Sequence, residues 1–322
     1  MNQLHKRVVV TGLGILSPIG NTVQDAWSSC IDGESGITTV DIDIKNCPIS
    51  VGGRLKDFNP EQYLDPKEVR RIDPFIQYGV IAANQSIIDS GILEFTGLDH
   101  SRVGVNFGAG IGGIDTIEKN KILLELKSFK KVSPFFVPGS IINMISGLVS
   151  IKHGFMGPNI SAVTACSTGN HCIGNAARFI SYGDADVMIA GGAEMASTPL
   201  SIAGFLAARA LTKNQDPKTA SRPWDLNRDG FVLSDGAGSL VLEEYDHAKN
   251  RDANIYAEII GFGMSSDAYH MTAPPEDGRG AELCMLNALD DAKINSEDVN
   301  YVNAHGTSTL LGDLAETIAL KK

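Results

Sequence analysis

Two short stretches of the chain hold residues that could do covalent chemistry. The first is Ile160-Ser-Ala-Val-Thr-Ala-Cys166-Ser-Thr-Gly-Asn170, where an apolar, β-branched run stops at a cysteine followed by small residues and a glycine. An amphipathic stretch with Ile173, Ala176, Ala177 and Ile180 comes next. This order predicts strand, sharp turn and helix, with Cys166 at the positive end of the helix dipole. Such a position favours the thiolate, the reactive form of cysteine, and the small neighbours leave room for a substrate. The competing reading is an inert core cysteine. The second stretch is Asn303-Ala-His305-Gly-Thr307-Ser-Thr309, which follows a predicted strand over 299–302. A histidine between a strand end and a glycine turn lies where ligands collect in α/β folds. A neutral imidazole near a cysteine can activate it or hold a developing negative charge.

Other patterns are weaker. Gly108-Ala-Gly110-Ile-Gly-Gly113 has the G-x-G-x-x-G spacing of a dinucleotide loop. No acidic residue ends a following strand about 20 residues on, so close backbone packing around a pocket is the better reading. Asp225-Leu-Asn227-Arg-Asp229-Gly230 matches half of a calcium loop, but Gly236 stands where the bidentate glutamate should be. A polar turn feeding a strand at 239–243 is expected there instead. No Cys/His grouping has zinc spacing, and no metal site is expected. Asp65-Pro-Lys67-Glu-Val-Arg70-Arg71 reads as a capped helix start with Pro at its first position. Lys67, Arg70 and Arg71 then fall on one face, either a solvated face or a docking patch for an acidic partner.

The elements that must position these residues alternate in type. Strands are predicted at 8–10, 103–107, 160–164 and 187–190, and helices near 23–32, 115–127 and 140–153, the last stopped by Gly154. This is an α/β pattern with buried sheets. A weak internal echo implies a duplicated unit: Arg7-Val-Val-Val-Thr-Gly-Leu-Gly14 matches Tyr256-Ala-Glu-Ile-Ile-Gly-Phe-Gly263. Likewise Ile88-Asp-Ser-Gly-Ile92 before Val103 matches Asp290-Asp-Ala-Lys-Ile294 before Val299. The expected division is a first half over 1–250 and a partial second half over 251–322. Composition is ordinary for a globular chain, with 322 residues, 43% hydrophobic and 20% charged. The net charge of −11 argues against general nucleic-acid binding. No apolar run approaches the roughly 18 residues of a membrane span, so no membrane partner is expected. His5-Lys6-Arg7 before Val8 looks superficially like a signal peptide, but Gly12 and Gly14 break the run and favour a first strand. The five scattered cysteines suit a reducing, cytoplasmic setting better than a disulfide framework.

Taken together, the Cys166 and His305 stretches, Ser133-Pro-Phe-Phe-Val-Pro138, Gly191-Gly-Ala-Glu194, Ser221-Arg-Pro-Trp-Asp225 and Arg228-Asp-Gly-Phe-Val232 resemble the β-ketoacyl-acyl-carrier-protein synthases. The run Gly261-Phe-Gly-Met-Ser-Ser-Asp-Ala-Tyr-His270 is most similar to the synthase II branch of that family, which elongates fatty acids. The resemblance implies a thiolase-like fold of duplicated halves in αβαβα layers, and a homodimer. It implies Cys166 as the acyl-accepting nucleophile and His305 as one of two catalytic histidines. Ile111, Phe136, Phe205 and Thr272 are expected to meet the substrate, with Thr307 and Thr309 on its pantetheine arm. Lys67, Arg70, Arg71, Lys130 and Arg209 match positions that meet the acidic acyl carrier protein, in its acyl and malonyl forms. Asp313 and Glu316 match a structural acidic pair. No cofactor is implied, because the pantetheine belongs to the substrate. The family continues past the position of Lys322 with a lysine, a second histidine and a glycine-rich loop. The chain is therefore expected to be C-terminally truncated and not to complete a condensation cycle by itself. The alternatives are a non-catalytic carrier-binding or dimerising remnant and, disfavoured by the His305 motif, a coenzyme-A-dependent thiolase.

Overall fold

The computed structural model describes residues 5–322. Eight strands run in chain order as β1 (Val8–Leu16), β2 (Thr38–Thr39), β3 (Val51–Gly52), β4 (Val103–Gly108), β5 (Asn159–Ile160), β6 (Val187–Glu194), β7 (Gly236–Glu244) and β8 (Ala257–Ile259). The α-helices are α1 (Val23–Ile31), α2 (Pro66–Val69), α3 (Pro74–Ser90), α4 (Ile114–Leu126) and α5 (Met144–His153), then α6 (Thr168–Ser181), α7 (Pro199–Ala207), α8 (Tyr245–Asn250), α9 (Arg279–Ala292) and α10 (Leu310–Leu320). Contacts divide the chain into two units. One comprises Met1–Gly36, Gly53–Ser201 and Ser234–Ile259, the other Ile37–Gly52, Ile202–Leu233 and Ile260–Lys322.

The first unit is built on a six-stranded sheet in the order β5-β4-β6-β7-β1-β8. β4 runs parallel to β5 and β6, whereas β6–β7, β7–β1 and β1–β8 are antiparallel. Side chains alternate across it with period two. Val103, Val105 and Phe107 of β4, Val187 and Ile189 of β6 and Val241 of β7 face a core shared with α3 and α5. Met188, Ala190, Leu242 and Val10 face the other way, against Ala176 and Ile180 of α6. Helix, sheet and helix thus form three layers, with α6 packed on one face of β6. α3 begins at Pro74 under the Asp73 cap, whose Oδ1 accepts the Phe75 N–H at 3.1 Å. It lies so close to β1 that a Cβ at Gly12 would sit 2.1 Å from the Ser86 carbonyl oxygen, and one at Gly14 2.0 Å from that of Ala82. These glycines, which break the apolar run in sequence, are what lets β1 extend to Leu16.

Several predicted boundaries shift. β5 ends at Ile160 rather than Thr164, because the Ser161 hydroxyl donates to the Phe107 carbonyl and takes the place of a ladder bond. α5 starts at Met144, since the Ser140 carbonyl accepts the Gly113 N–H at 3.2 Å instead of starting a helix. α2 is a single turn, because Asp73 precedes Pro74 and must leave helical geometry. The buried Glu243 on β7 accepts from Thr11 at 2.9 Å and from both Arg251 Nε and Nη2 at 2.7 Å. His247 shares a further bond with it. Burial pushes this carboxyl up, but the Arg251 and His247 bonds outweigh it and hold it below the usual carboxylate range.

The second unit has the β2–β3 hairpin and a small core of Ile49, Val51, Ile202, Leu211 and Ala220. α9 packs on α10. The internal echo has a geometric counterpart: α3 ends at Gly91 with φ 63°, and α9 ends at Lys293 with φ 58°, both left-handed. A 3-10 turn then precedes β4 at His100–Arg102, and another, Ser296–Asp298, precedes Val299. The expected strand over 299–302 differs. That segment has no ladder partner among the described residues, and Tyr301 is 78% exposed.

Candidate active site

Cys166 sits in a 3-10 turn, Ala165–Ser167, between β5 and the first residue of α6. Four hydrogen bonds converge on Thr164 to hold that turn. Its N–H donates to Thr168 Oγ1 at 2.8 Å. Its carbonyl accepts the Ser167 N–H at 3.2 Å and the Ser167 hydroxyl at 2.8 Å. Its hydroxyl shares a bond of 2.7 Å with His171 Nδ1. Ala165 then adopts φ +52°, a left-handed conformation that costs a non-glycine residue about 1–3 kcal/mol. The strain is maintained by the clamp on Thr164, and its result is that Cys166 is exposed at the N-terminus of a 14-residue helix. The dipole and end amides of α6 favour the thiolate there. Cys172, farther along α6, is fully buried, and desolvation pushes its thiol up.

The glycine loop after β4 carries Ile111 past this turn. A Cβ on Gly110 would lie 3.5 Å from the Ala165 carbonyl oxygen. Glu194, at the end of β6, fills the loop's amide cradle: Oε2 accepts from Gly110 at 2.7 Å and Ile111 at 2.8 Å, and Oε1 from Gly112 at 2.9 Å. The amides that a G-x-G-x-x-G loop would offer to a pyrophosphate are thus occupied by the protein's own carboxylate. Ile111 keeps its side chain 42% exposed. Phe136 is half-buried in the segment after α4, its N–H bonded to the Ser133 carbonyl at 3.0 Å.

His305 lies on a loop organised by two carboxylates of α10. Glu316 accepts the His305 N–H at 2.7 Å and the Gly306 N–H at 2.9 Å. Asp313, fully buried, accepts the N–H of Ser308 at 3.1 Å and of Trp224 at 2.9 Å, and pairs with Arg228 at 3.1 Å. Arg228 also donates to the Thr309 and Leu310 carbonyls, at 3.1 and 2.8 Å. This clamp holds Gly306 and Ser308 left-handed at φ 49° and 65° and leaves the His305 side chain at the surface of its unit. The Thr307 and Thr309 hydroxyls meet at 2.9 Å. In the same unit Phe205 packs edge-on against Phe231, while the exposed Thr272 N–H donates to His270 Nδ1 at 3.1 Å. The calcium-like turn has other work: Asp225 accepts the Asn227 N–H at 2.7 Å, and Asp229 binds Thr212, the Lys213 N–H and Arg222. Among the described residues no group of three or more His, Cys, Asp or Glu side chains could hold a metal ion.

The basic residues divide. Lys67, Arg70, Arg71 and Lys130 are all exposed in the first unit. The Arg71 guanidinium lies 4.5 Å from the Phe135 ring centre, and the Asp73 N–H donates to the Gly139 carbonyl at 2.8 Å. These contacts set the loop that follows Lys130 beside the end of α2. Since α2 ends at Val69 with Arg70 as its cap, Arg71 belongs to the following turn, and the three basic residues do not lie along one helix as the spacing predicts. Arg209 is exposed in the second unit, at φ +56°. The sequence alone singles out neither His171 nor the cradle role of Glu194; the signal for the first is its place one turn into α6, shortly after Cys166.

Known proteins match along the whole described chain. The profile of the β-ketoacyl synthase N-terminal domain matches residues 5–248 and that of the C-terminal domain residues 256–322. The sequence is 56% identical over 319 residues to 3-oxoacyl-acyl-carrier-protein synthase 2 of Vibrio harveyi, spanning 98% of this chain and 77% of that protein. A solved β-ketoacyl synthase from Burkholderia phymatum matches with a TM-score of 0.89 at 33% identity, over 98% of this chain and 77% of that one. A type II PKS ketosynthase, solved in complex with its acyl-carrier protein and bound to the hexaketide, matches with a TM-score of 0.88 at 32% identity and the same coverage. The layers described above are those of the thiolase-like ketosynthase fold.

Proposed function

The chain belongs to the β-ketoacyl synthase family, and from that premise we propose that it is a condensing acyltransferase of fatty-acid elongation, working on thioesters of an acyl carrier protein. The observation that carries the reading is the exposed Cys166 on its clamped left-handed turn at the head of α6. In the first half-reaction the Cys166 thiolate attacks the acyl carbonyl. A new C–S bond forms, the bond to the carrier's pantetheine sulfur breaks, and that sulfur leaves as a thiolate that takes from solvent the proton equivalent Cys166 gave up on ionising. In the second, malonyl carrier loses carbon dioxide. The electron pair of the broken C–C bond becomes an enolate on the remaining thioester, which attacks the acyl-Cys166 carbonyl and expels the Cys166 thiolate. His305 is assigned to donate to the thioester oxygen as it gains charge. Ile111, Phe136 and Phe205 are assigned to the acyl group, Thr272 to the substrate, and Thr307 and Thr309 to the pantetheine arm.

Lys67, Arg70, Arg71, Lys130 and Arg209 are assigned to the acidic carrier, in both its acyl and malonyl forms. The solved ketosynthase–carrier complex supports a carrier partner. We assign residues 1–250 to the N-terminal half and 251–322 to the C-terminal half, a cytoplasmic location, and a homodimer whose mass light scattering would report. The central test is the first half-reaction. Wild-type protein mixed with acyl carrier thioester is expected to gain the acyl mass on the peptide containing Cys166, with release of the carrier thiol. C166A is expected to gain none. Labelling that persists in C166A, or wild-type labelling from coenzyme-A thioesters but not from carrier thioesters, would overturn the assignment.

A further inference from the structure

Glu194 is a carboxylate with three main-chain donors and no salt-bridge partner among the described residues. All three donors come from one turn, Gly110 to Gly112, at 2.7, 2.8 and 2.9 Å. Burial pushes its carboxyl up, and the three amides oppose that shift. Other contacts hold the turn at its ends: the Gly112 carbonyl accepts the Ile114 N–H at 2.7 Å, the Gly113 N–H reaches the Ser140 carbonyl at 3.2 Å, and Gly110 runs against the Ala165 carbonyl oxygen. Ile111 is the one residue of the turn with a large side chain, and it is 42% exposed. Its main chain is therefore fixed by a residue 83 positions away, while its side chain stands open and the adjoining Gly110 runs against Ala165 of the turn that carries Cys166. A carboxylate offers two oxygens to these three N–H groups. A carboxamide offers one oxygen and sets an NH₂ against the remaining donor or donors.

We propose that Glu194 is a positioning residue for acyl selectivity: through the Gly110–Gly112 amides it sets where the Ile111 side chain stands beside Cys166, and so how long an acyl group the site accepts. The proposal rests on the condensing-enzyme reading above. It concerns the relative rates for acyl groups of different length, not the reactivity of the sulfur, because Glu194 acts on the Gly110–Gly112 amides and the Cys166 turn is held by bonds on Thr164.

The test compares wild type, E194Q, E194D, I111A and the E194Q/I111A pair in the acyl-loading step. Each is given hexanoyl, decanoyl and palmitoyl carrier thioesters separately, and the rate of Cys166 acylation is read by intact mass. Iodoacetamide alkylation of Cys166 and thermal melting are measured beside it. The expected result for E194Q is a change of about tenfold or more in the palmitoyl-to-hexanoyl rate ratio, the scale on which small displacements near reacting groups act. Iodoacetamide alkylation should stay within roughly twofold of wild type, since a small, unselective reagent does not need the Ile111 wall. E194D is expected to move the ratio in the same direction by less. In the I111A background E194Q should add no further change, because the residue it positions is gone. An unchanged ratio in E194Q, or in E194D if E194Q does not fold, overturns the proposal. So does an effect of E194Q that persists undiminished beside I111A, or one that slows all acyl groups and iodoacetamide equally. A wild-type protein that takes no acyl group from carrier at all removes the condensing-enzyme reading itself, and this inference falls with it.

Discussion

Cys166 and Cys172 lie close in sequence yet have opposite surroundings, one exposed at a helix start and the other fully enclosed. Among the five thiols Cys166 is expected to react first with iodoacetamide at neutral pH, and Cys172 last, because burial pushes its thiol up. Peptide mapping after partial alkylation checks the order; earlier labelling of Cys30, Cys47, Cys172 or Cys284 in folded protein would contradict it. A second expectation concerns the clamp under His305. Asp313 is fully buried beside Arg228, whose side chain is only 15% exposed. Replacing Asp313 by Asn removes the charge partner while keeping the shape, and breaking a buried pair costs about 3–5 kcal/mol. A drop in melting temperature should accompany it, and a melting temperature equal to wild type would show that the pair carries no stability. Cys166 and His305 stood out in the sequence because each lies among small and hydroxyl residues near a glycine, although the strand expected before His305 does not form. The Glu194 cradle was not, because its partners stand 82 to 84 positions away and only the folded sheet brings the end of β6 to that loop.

At the level of elements, α2 and the turn after it present Lys67, Arg70 and Arg71 to solvent. Charge reversal of Arg70 and Arg71 should weaken binding of an acidic carrier and flatten the salt dependence of its affinity. Calorimetric titration at two ionic strengths reads both effects, and unchanged affinity would remove this segment from the docking surface. β7 and α8 give a pH expectation. Glu243 is held below its usual value of 4.5 chiefly by Arg251 and His247, against the upward push of burial. A depressed carboxyl adds stability that is present above its unfolded value and is lost as pH falls through its folded one. Asp73 and Asp235 are pushed the other way by burial, so their contribution has the opposite sign and weakens as pH rises. The informative quantity is thus a difference. E243Q should show a shallower loss of stability in acid than wild type in urea unfolding below pH 5, and parallel curves would refute the assignment. Some helix ends were readable from caps, as with Asp65-Pro66 and Gly154, whereas the long buried α3 was not read from the sequence. Predicted starts and ends shifted where a side chain or a neighbouring loop took a backbone group, as at Ser140 and Ser161.

For the whole molecule, the net charge of −11 and the exposed basic cluster point in opposite directions. Carrier association should therefore be steered by a local field, not by overall attraction, and its on-rate should fall with added salt over a Debye length of about 10 Å. Stopped-flow mixing with fluorescent carrier checks this, and a rate that rises with salt would show that overall repulsion dominates. The fold class was legible from alternating strands and helices. The strand order was not, because no local pattern says which distant strands pair. β1 is the extreme case. It forms near the start of the chain, but both its neighbours come late: Val8 pairs with Glu244 on one side and with Ile259 on the other. The Thr11–Glu243 hydrogen bond spans 232 positions. A ribosome adding about 5–20 residues per second would take on the order of 10 to 50 s to make that partner. Through that interval β1 leaves the exit tunnel with both edges open and Gly12 and Gly14 awaiting α3. The order of synthesis thus makes the first strand translated among the last to be sheltered, and in the cell its safe passage is a matter of timing as much as of affinity.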